Sequence, residues 1–183
     1  MPKRETTVES HSSKSESGHA VAVNLLFHQS DGVFLTEMPA QADIIVSSPD
    51  STEVKLVVEA KLQSFELQKT ERQFKNFMLQ LRCPLGLLVS PQRLRVYQDR
   101  FTSDSENSIE LVGDFDITGL IKFQPPSIGA GVAFEKAVQS WLEDDLSRSA
   151  SQNQVKDPKL LEIVNHYILP AVETGVVRAT GPR

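Results

Sequence analysis

A single cysteine, Cys83, stands in a chain of 183 residues. One thiol excludes an internal disulfide framework and any zinc site built on a cysteine cluster. A buried, reduced thiol is the reading that fits Cys83. Long apolar runs are also missing. No stretch approaches the ~20 residues needed to span a bilayer, and residues 1–18, MPKRETTVESHSSKSESG, contain no apolar leader segment. The expectation is a cytoplasmic protein without membrane contact. The four histidines, His11, His19, His28 and His166, have no metal-ligand spacing and are read as surface or tail positions. The chain has no P-loop, so ATP-driven work would need a partner. It has no internal repeat. Nor is there an excess of positive charge: 19 Lys and Arg face 24 Asp and Glu, for a net charge of −5. A uniformly basic nucleic-acid surface is thereby excluded.

The charge that is present is unevenly spread. Residues 51–100 hold nine Lys or Arg against five acids, and the rest of the chain holds ten against nineteen. A basic middle in an acidic chain is either an electrostatic footprint for a polyanion or a solvated helix face. The length suits one domain with a full core.

Read along the chain, residues 1–18 form a Ser-rich, charged tail. Residues 18–29 read as a helix, although their valines leave a strand open, and residues 32–38 read as a strand. Residues 42–48 and 52–62 follow as two strands about Ser48-Pro49-Asp50-Ser51, strong turn chemistry. Residues 65–82 form the clearest helix, with Phe74, Phe77, Met78 and Leu81 at helical spacing. Cys83-Pro84 ends it. Residues 85–90 and 93–98 read as strands, and 109–121 as a strand followed by a helical turn. Helices are expected over 132–147 and 158–172, the latter interrupted by Pro170. A helix between two strands of one sheet calls for a crossover. The predicted class is therefore α/β, a mixed central sheet in the order α-β-β-β-α-β-β flanked by helices. Residues 19–123 form its core, and residues 124–183 add peripheral C-terminal helices to the same domain.

Three residues resist the reading of 42–62 as an apolar hairpin. Asp43 interrupts the first run, and Glu59 and Lys61 sit within the second. Ionised groups in an otherwise buried strand are costly unless paired or metal-bound. With the turn near residues 50–51, antiparallel partners sum to roughly 100–102. Asp43 then lies beside Glu59, directly or on the diagonal, and Glu59 and Lys61 share one strand face. Two carboxylates suit a hard divalent cation such as Mg²⁺. A lysine beside it suits a bound water or a phosphate.

Asp43, fifteen intervening residues, then Glu59-Ala60-Lys61 resembles the PD-(D/E)xK motif of the restriction-endonuclease-like superfamily. Gln73-x-x-x-Phe77 on the next helix is similar to the Gln-x-x-x-Tyr element of the branch that includes the N-terminal nuclease domain of type I restriction subunits. The strand pair after that helix is similar as well. The resemblance covers about residues 18–100. It implies a restriction-endonuclease-like core and Mg²⁺- or Mn²⁺-dependent hydrolysis of DNA phosphodiesters, in restriction, defence or repair. It also implies roles: Asp43, Glu59 and the Ala60 carbonyl as metal ligands, Lys61 orienting the attacking water or stabilising phosphorane charge, and Gln73 supporting the site. Two features depart from the pattern. Gln41-Ala42 stands where the motif has its proline, and residues 19–29 offer no acid for the first helix. A weaker second metal position would follow. The alternative is a noncatalytic nucleic-acid- or protein-binding module on the same fold. A third possibility is an interaction protein assembled, for instance as a homodimer, through its C-terminal helices.

The other polar and aromatic candidates have plainer readings. Tyr97 and Phe101 are read as core or edge residues, Asp114 and Asp116 as turn residues, and Glu143-Asp144-Asp145 as a solvated helix end. Trp141, with Phe134 and Val138 at helical spacing, is read as core or dimer seam.

Overall fold

The structure is a computed structural model that describes residues 42–62 and 67–180. The tail, the helix expected at 18–29 and the strand expected at 32–38 lie outside the described residues.

Two strands open the described chain, β1 (Ile44–Ser47) and β2 (Val54–Ala60). Their turn is closed by Ser48 N–H donating to Glu53 O at 2.8 Å. Asp50 braces it by accepting from Thr52 N–H at 3.2 Å and from the Ser48 hydroxyl. Antiparallel pairing of Ile44 with Val58, Ile45 with Val57 and Val46 with Leu56 follows, before a register shift at Ser47. Helix α1 (Leu67–Leu81) then crosses over to β3 (Leu85–Val89), which pairs parallel to β2. Parallel neighbours need such a crossover. β4 (Arg93–Asp99) and β5 (Ile109–Asp116) return antiparallel.

The C-terminal region contributes α2 (Ala130–Ser140), running through a π turn at Trp141–Asp145 into α3 (Leu146–Ser151). After a loop come α4 (Pro158–Ile163), a π turn at Val164–Ile168 and α5 (Leu169–Glu173). Asp157 caps α4, accepting from the amides of Lys159 and Leu160 at 2.9 and 3.0 Å. The helix runs through Pro170 rather than being interrupted there. The wider π turn before it, in which Leu169 N–H reaches back to Val164 O, accommodates the proline ring. A last strand, β6 (Val176–Ala179), pairs antiparallel with β1, where no strand was expected. The result is a six-stranded mixed sheet in the order β5-β4-β3-β2-β1-β6.

Strand alternation divides the core in two. Ile44, Val46, Leu56, Val58, Leu87, Leu94 and Val96 face the C-terminal helices and pack on Phe134, Val138, Trp141, Leu146, Leu160 and Ile168. The Phe134, Val138 and Trp141 stripe is thus buried in the chain's own core. Residues read as peripheral therefore cover one whole sheet face. On the opposite face, Val57, Leu88, Tyr97 and Ile109 pack with Phe74, Met78 and Cys83 of α1 and its end. Cys83 is buried, and its thiol donates to Leu85 O at 3.1 Å. Burial pushes that thiol up to about 12.

α1 sits where it does because of one glycine. Ile45, Val57, Gly86, Tyr97 and Leu111 form one transverse row across the sheet. A Cβ on Gly86 would lie 2.4 Å from Met78 Sδ and 2.8 Å from the Phe74 ring. Gly86→Ala is expected to cost about 1–3 kcal/mol through overpacking. Gly131→Ala meets nothing within 4 Å on α2 and is expected to be neutral or stabilising. Chemical denaturation of both variants checks the contrast; equal stabilities would refute it.

Candidate functional site

The next row toward the C-terminal end of β2 is polar. Leu88 pairs with Glu59 on one side and Arg95 on the other, and Arg95 pairs with Asp114. Asp43 stands just before β1, and the regular register is not carried to it: its N–H meets Val58, the residue that Ile44 already faces. Glu59, Leu88, Arg95 and Asp114 lie in one line, and alternation gives this line the α1 face. Neighbouring strands are ~4.8 Å apart, so Leu88 separates an acidic end of the row from a basic one.

Two bonds to β2 fix Asp43, which is 6% exposed. Its N–H donates to Val58 O at 3.0 Å, and its Oδ2 accepts from Ala60 N–H at 2.7 Å. The carboxylate thus takes the place of a ladder partner just where β1 begins. On the other edge of the same strand, Lys61 N–H donates to Val89 O at 2.8 Å and prolongs the parallel ladder. The Lys61 ammonium returns to Glu59 Oε1 at 2.6 Å, with Glu59 12% and Lys61 33% exposed. Asp43, Glu59 and Lys61 therefore gather at one end of β2. Gln73 is half-buried on α1, one turn beyond Thr70, and no hydrogen bond joins it to these three among the described residues.

At the basic end, Asp114 holds two arginines. Its Oδ1 accepts from Arg93 Nε at 3.0 Å and its Oδ2 from Arg95 Nε at 3.0 Å. Arg95 also approaches Glu71 of α1 at 3.5 Å, and Glu71 pairs with Lys75 at 3.1 Å. Tyr97 lies below this cluster, edge-on to Phe74 at 5.7 Å between ring centroids, with Lys75 Nζ 5.6 Å from its own ring centre. Its buried hydroxyl makes no hydrogen bond of good geometry among the described residues, although the Arg95 guanidinium lies near enough to act on it. Burial first and the Glu71 charge second push that phenol up to about 12, against the opposing pull of Arg95. Tyr97 is a core residue, whereas Phe101 is exposed. Asp114 lies within β5 rather than in a turn.

Between the two ends opens a cavity of about 480 Å³. Lys61, Arg93 and Arg95 line it, together with Leu62, Leu88 and, from the first turn of α1, Leu67 and Thr70. Among the described residues no carboxylate lines it; Glu59, Glu71 and Asp114 stand behind the cations they hold. Arg93, Arg95 and Glu71 carry no local signal for this role, and Asp114, which reads as a turn residue in the sequence, instead holds both arginines. The alternation in RLRVYQ signals that Arg93, Arg95 and Tyr97 share a face, but only the sheet order brings that face to Lys61.

No family model, curated protein or solved structure matches this chain. No described helix is long and apolar enough to cross a membrane.

A carboxylate bonded to a buried amide makes a direct prediction. Asp43→Ala leaves Ala60 N–H without its acceptor and is expected to lower stability by about 1–3 kcal/mol. Asp43→Asn keeps an oxygen there and is expected to lose less. Urea titrations rank the two; an Asn variant as damaged as the Ala variant would show that this bond is not what Asp43 contributes.

Proposed function

We propose that the protein is a metal-dependent nuclease with a restriction-endonuclease-like core, hydrolysing phosphodiester bonds in DNA. The observation that carries this reading is the gathering at one end of β2 of Asp43, bonded to Ala60 N–H at 2.7 Å, and Glu59, 2.6 Å from the Lys61 ammonium, beside a cavity lined by Lys61, Arg93 and Arg95. The parallel β2–β3 pairing around α1 is the mixed arrangement that the motif resemblance implies.

The donor chemistry fits a hard divalent cation. Two carboxylates and the Ala60 carbonyl are oxygen donors. Mg²⁺ is commonly held through one or two carboxylates, with waters and substrate phosphate completing its shell. Among the described residues no group of three or more His, Cys, Asp or Glu side chains could hold a metal, so substrate oxygens would supply part of that shell. When bound, the ion supplies Lewis-acid polarisation and a more acidic water.

The chain's own residues then have separable tasks. Ala60 N–H orients the Asp43 carboxylate, and Glu59 fixes the position of the Lys61 ammonium. From there Lys61 orients a water or stabilises charge on the phosphoryl oxygens. Gln73 supports the site from α1.

The same bonds favour a second reading. Asp43 is engaged by a backbone amide and Glu59 by Lys61, so the site is electrostatically closed without an ion. A noncatalytic nucleic-acid-binding module would look the same.

Cleavage and melting separate the two readings. With Mg²⁺ or Mn²⁺, the wild type is expected to cut plasmid or single-stranded DNA. Lys61→Ala is expected to lose about 100- to 1,000-fold in rate, the scale of removing one preorganised donor, with fold and DNA binding kept. Mn²⁺ at a hundredfold excess over its Kd is expected to stabilise the wild type by about 2.7 kcal/mol, and Asp43→Asn and Glu59→Gln to lose that response. A Lys61→Ala protein that cuts at the wild-type rate sinks the nuclease reading. If neither protein cuts and both bind DNA with the same salt dependence, the noncatalytic module replaces it.

A further inference from the structure

The cavity beside the acidic pair is built differently from a groove for duplex DNA, and the difference points to the form of the substrate. Its volume, about 480 Å³, lies in the range that encloses one small molecule. One nucleotide fits; a base-paired duplex is too wide to enter. Its lining is also of two kinds. Lys61, Arg93 and Arg95 bring charge to the lining, and Leu62, Leu67 and Leu88 bring apolar surface, with Leu88 beside Arg95 in the sheet. That combination matches the two halves of a nucleotide, an anionic phosphate and a flat apolar base.

The cationic part of the lining is held in place before any ligand arrives. Asp114 grips Arg93 and Arg95 through their Nε atoms, each at 3.0 Å, and Glu71 approaches Arg95 at 3.5 Å. Each guanidinium has five N–H groups, more than these contacts use. Preorganised guanidinium groups suit phosphate oxygens, which they can meet two at a time. α1 supplies Leu67 and Thr70 to the same cavity. Of the acids of the site, Glu59 lies at the other end of the row, separated from Arg95 by Leu88, and Asp43 is tied to the same end of β2. A phosphate on the arginines and a cation on the carboxylates would therefore sit side by side without competing.

We propose that this cavity takes a single unpaired nucleotide, with its phosphate on Arg93 and Arg95, so that the site acts on single-stranded or unpaired nucleic acid rather than on intact duplex. The inference rests on the reading of the site as one that engages nucleic acid. The described lining offers a base apolar contact from Leu62, Leu67 and Leu88.

The test is binding without metal, which keeps it separate from catalysis. Fluorescence anisotropy in EDTA compares a short labelled oligothymidylate with a blunt-ended DNA hairpin of the same strand length, at several salt concentrations. The wild type is expected to bind the single strand at least tenfold more tightly. Arg93→Met and Arg95→Met are each expected to weaken that binding and to reduce the salt slope by about 0.7, the value of one lost phosphate contact on a single strand. Thr70→Phe, which narrows the cavity but keeps every charge, is expected to abolish the preference for single strand and leave the salt slope unchanged. Circular-dichroism melts confirm that each variant is folded. A duplex bound as tightly as the single strand overturns the proposal, as does a Thr70→Phe protein that keeps the preference. Absence of cleavage with the binding pattern intact would overturn the nuclease reading alone.

Discussion

The site depends on one hydrogen bond, from Ala60 N–H to Asp43 Oδ2 at 2.7 Å. It ties Asp43 to the end of β2 one residue before β1 begins. A one-residue slip of register would move every side chain of β1 to the other face. Ile44 and Val46 would then leave the apolar layer formed with Phe134, Val138 and Trp141. The buried surface of Ile44 and Val46 opposes that slip from one direction, and the carboxylate bond opposes it from the other. Fold and site are thus specified by the same pairing.

Successive rows of one sheet face have different work. The row of Ile45, Val57, Gly86 and Tyr97 is apolar and supports α1. The row beyond it carries Glu59, Arg95 and Asp114, and past that row lie Lys61 and Arg93. α1 reaches the polar row only with its first turns, through Glu71 and Thr70, so the cavity remains where the helix no longer covers the sheet. Among the described residues the ion pairs and hydrogen bonds of the site involve four cations (Lys61, Lys75, Arg93, Arg95) and four acids (Asp43, Glu59, Glu71, Asp114). The balance is between ends rather than at each point. An acidic end and a basic end on one face suit a ligand set that is itself divided, a divalent cation and a phosphate.

Much of this was legible in the sequence, for identifiable reasons. Ser48-Pro49-Asp50-Ser51 is a local turn signal, and a turn plus strand alternation fixes which residues face each other across a hairpin. That is why the pairing of Ile44 with Val58 and of Val46 with Leu56 follows from reading alone. The helix at Leu67–Leu81 announced itself through Phe74 and Met78. What stayed hidden was non-local. Arg93 and Arg95 share a cavity with Lys61 only because β3 lies between β2 and β4, and no sequence spacing encodes that order. β6 is four residues long and half exposed, too short for a periodic signal. Pro170 looked like a break because the π turn that accommodates it leaves no trace in composition. The single cysteine was read correctly as a buried thiol because nothing else in the sequence offered it chemistry.

The central claim is that one divalent cation is held between Asp43 and Glu59. Crystals soaked in Mn²⁺ and measured at a wavelength where manganese scatters anomalously test it most directly. The account predicts a single anomalous peak within coordination distance of both carboxylates, absent from crystals of Glu59→Gln. No peak at saturating Mn²⁺, or a peak that touches neither carboxylate, would contradict it.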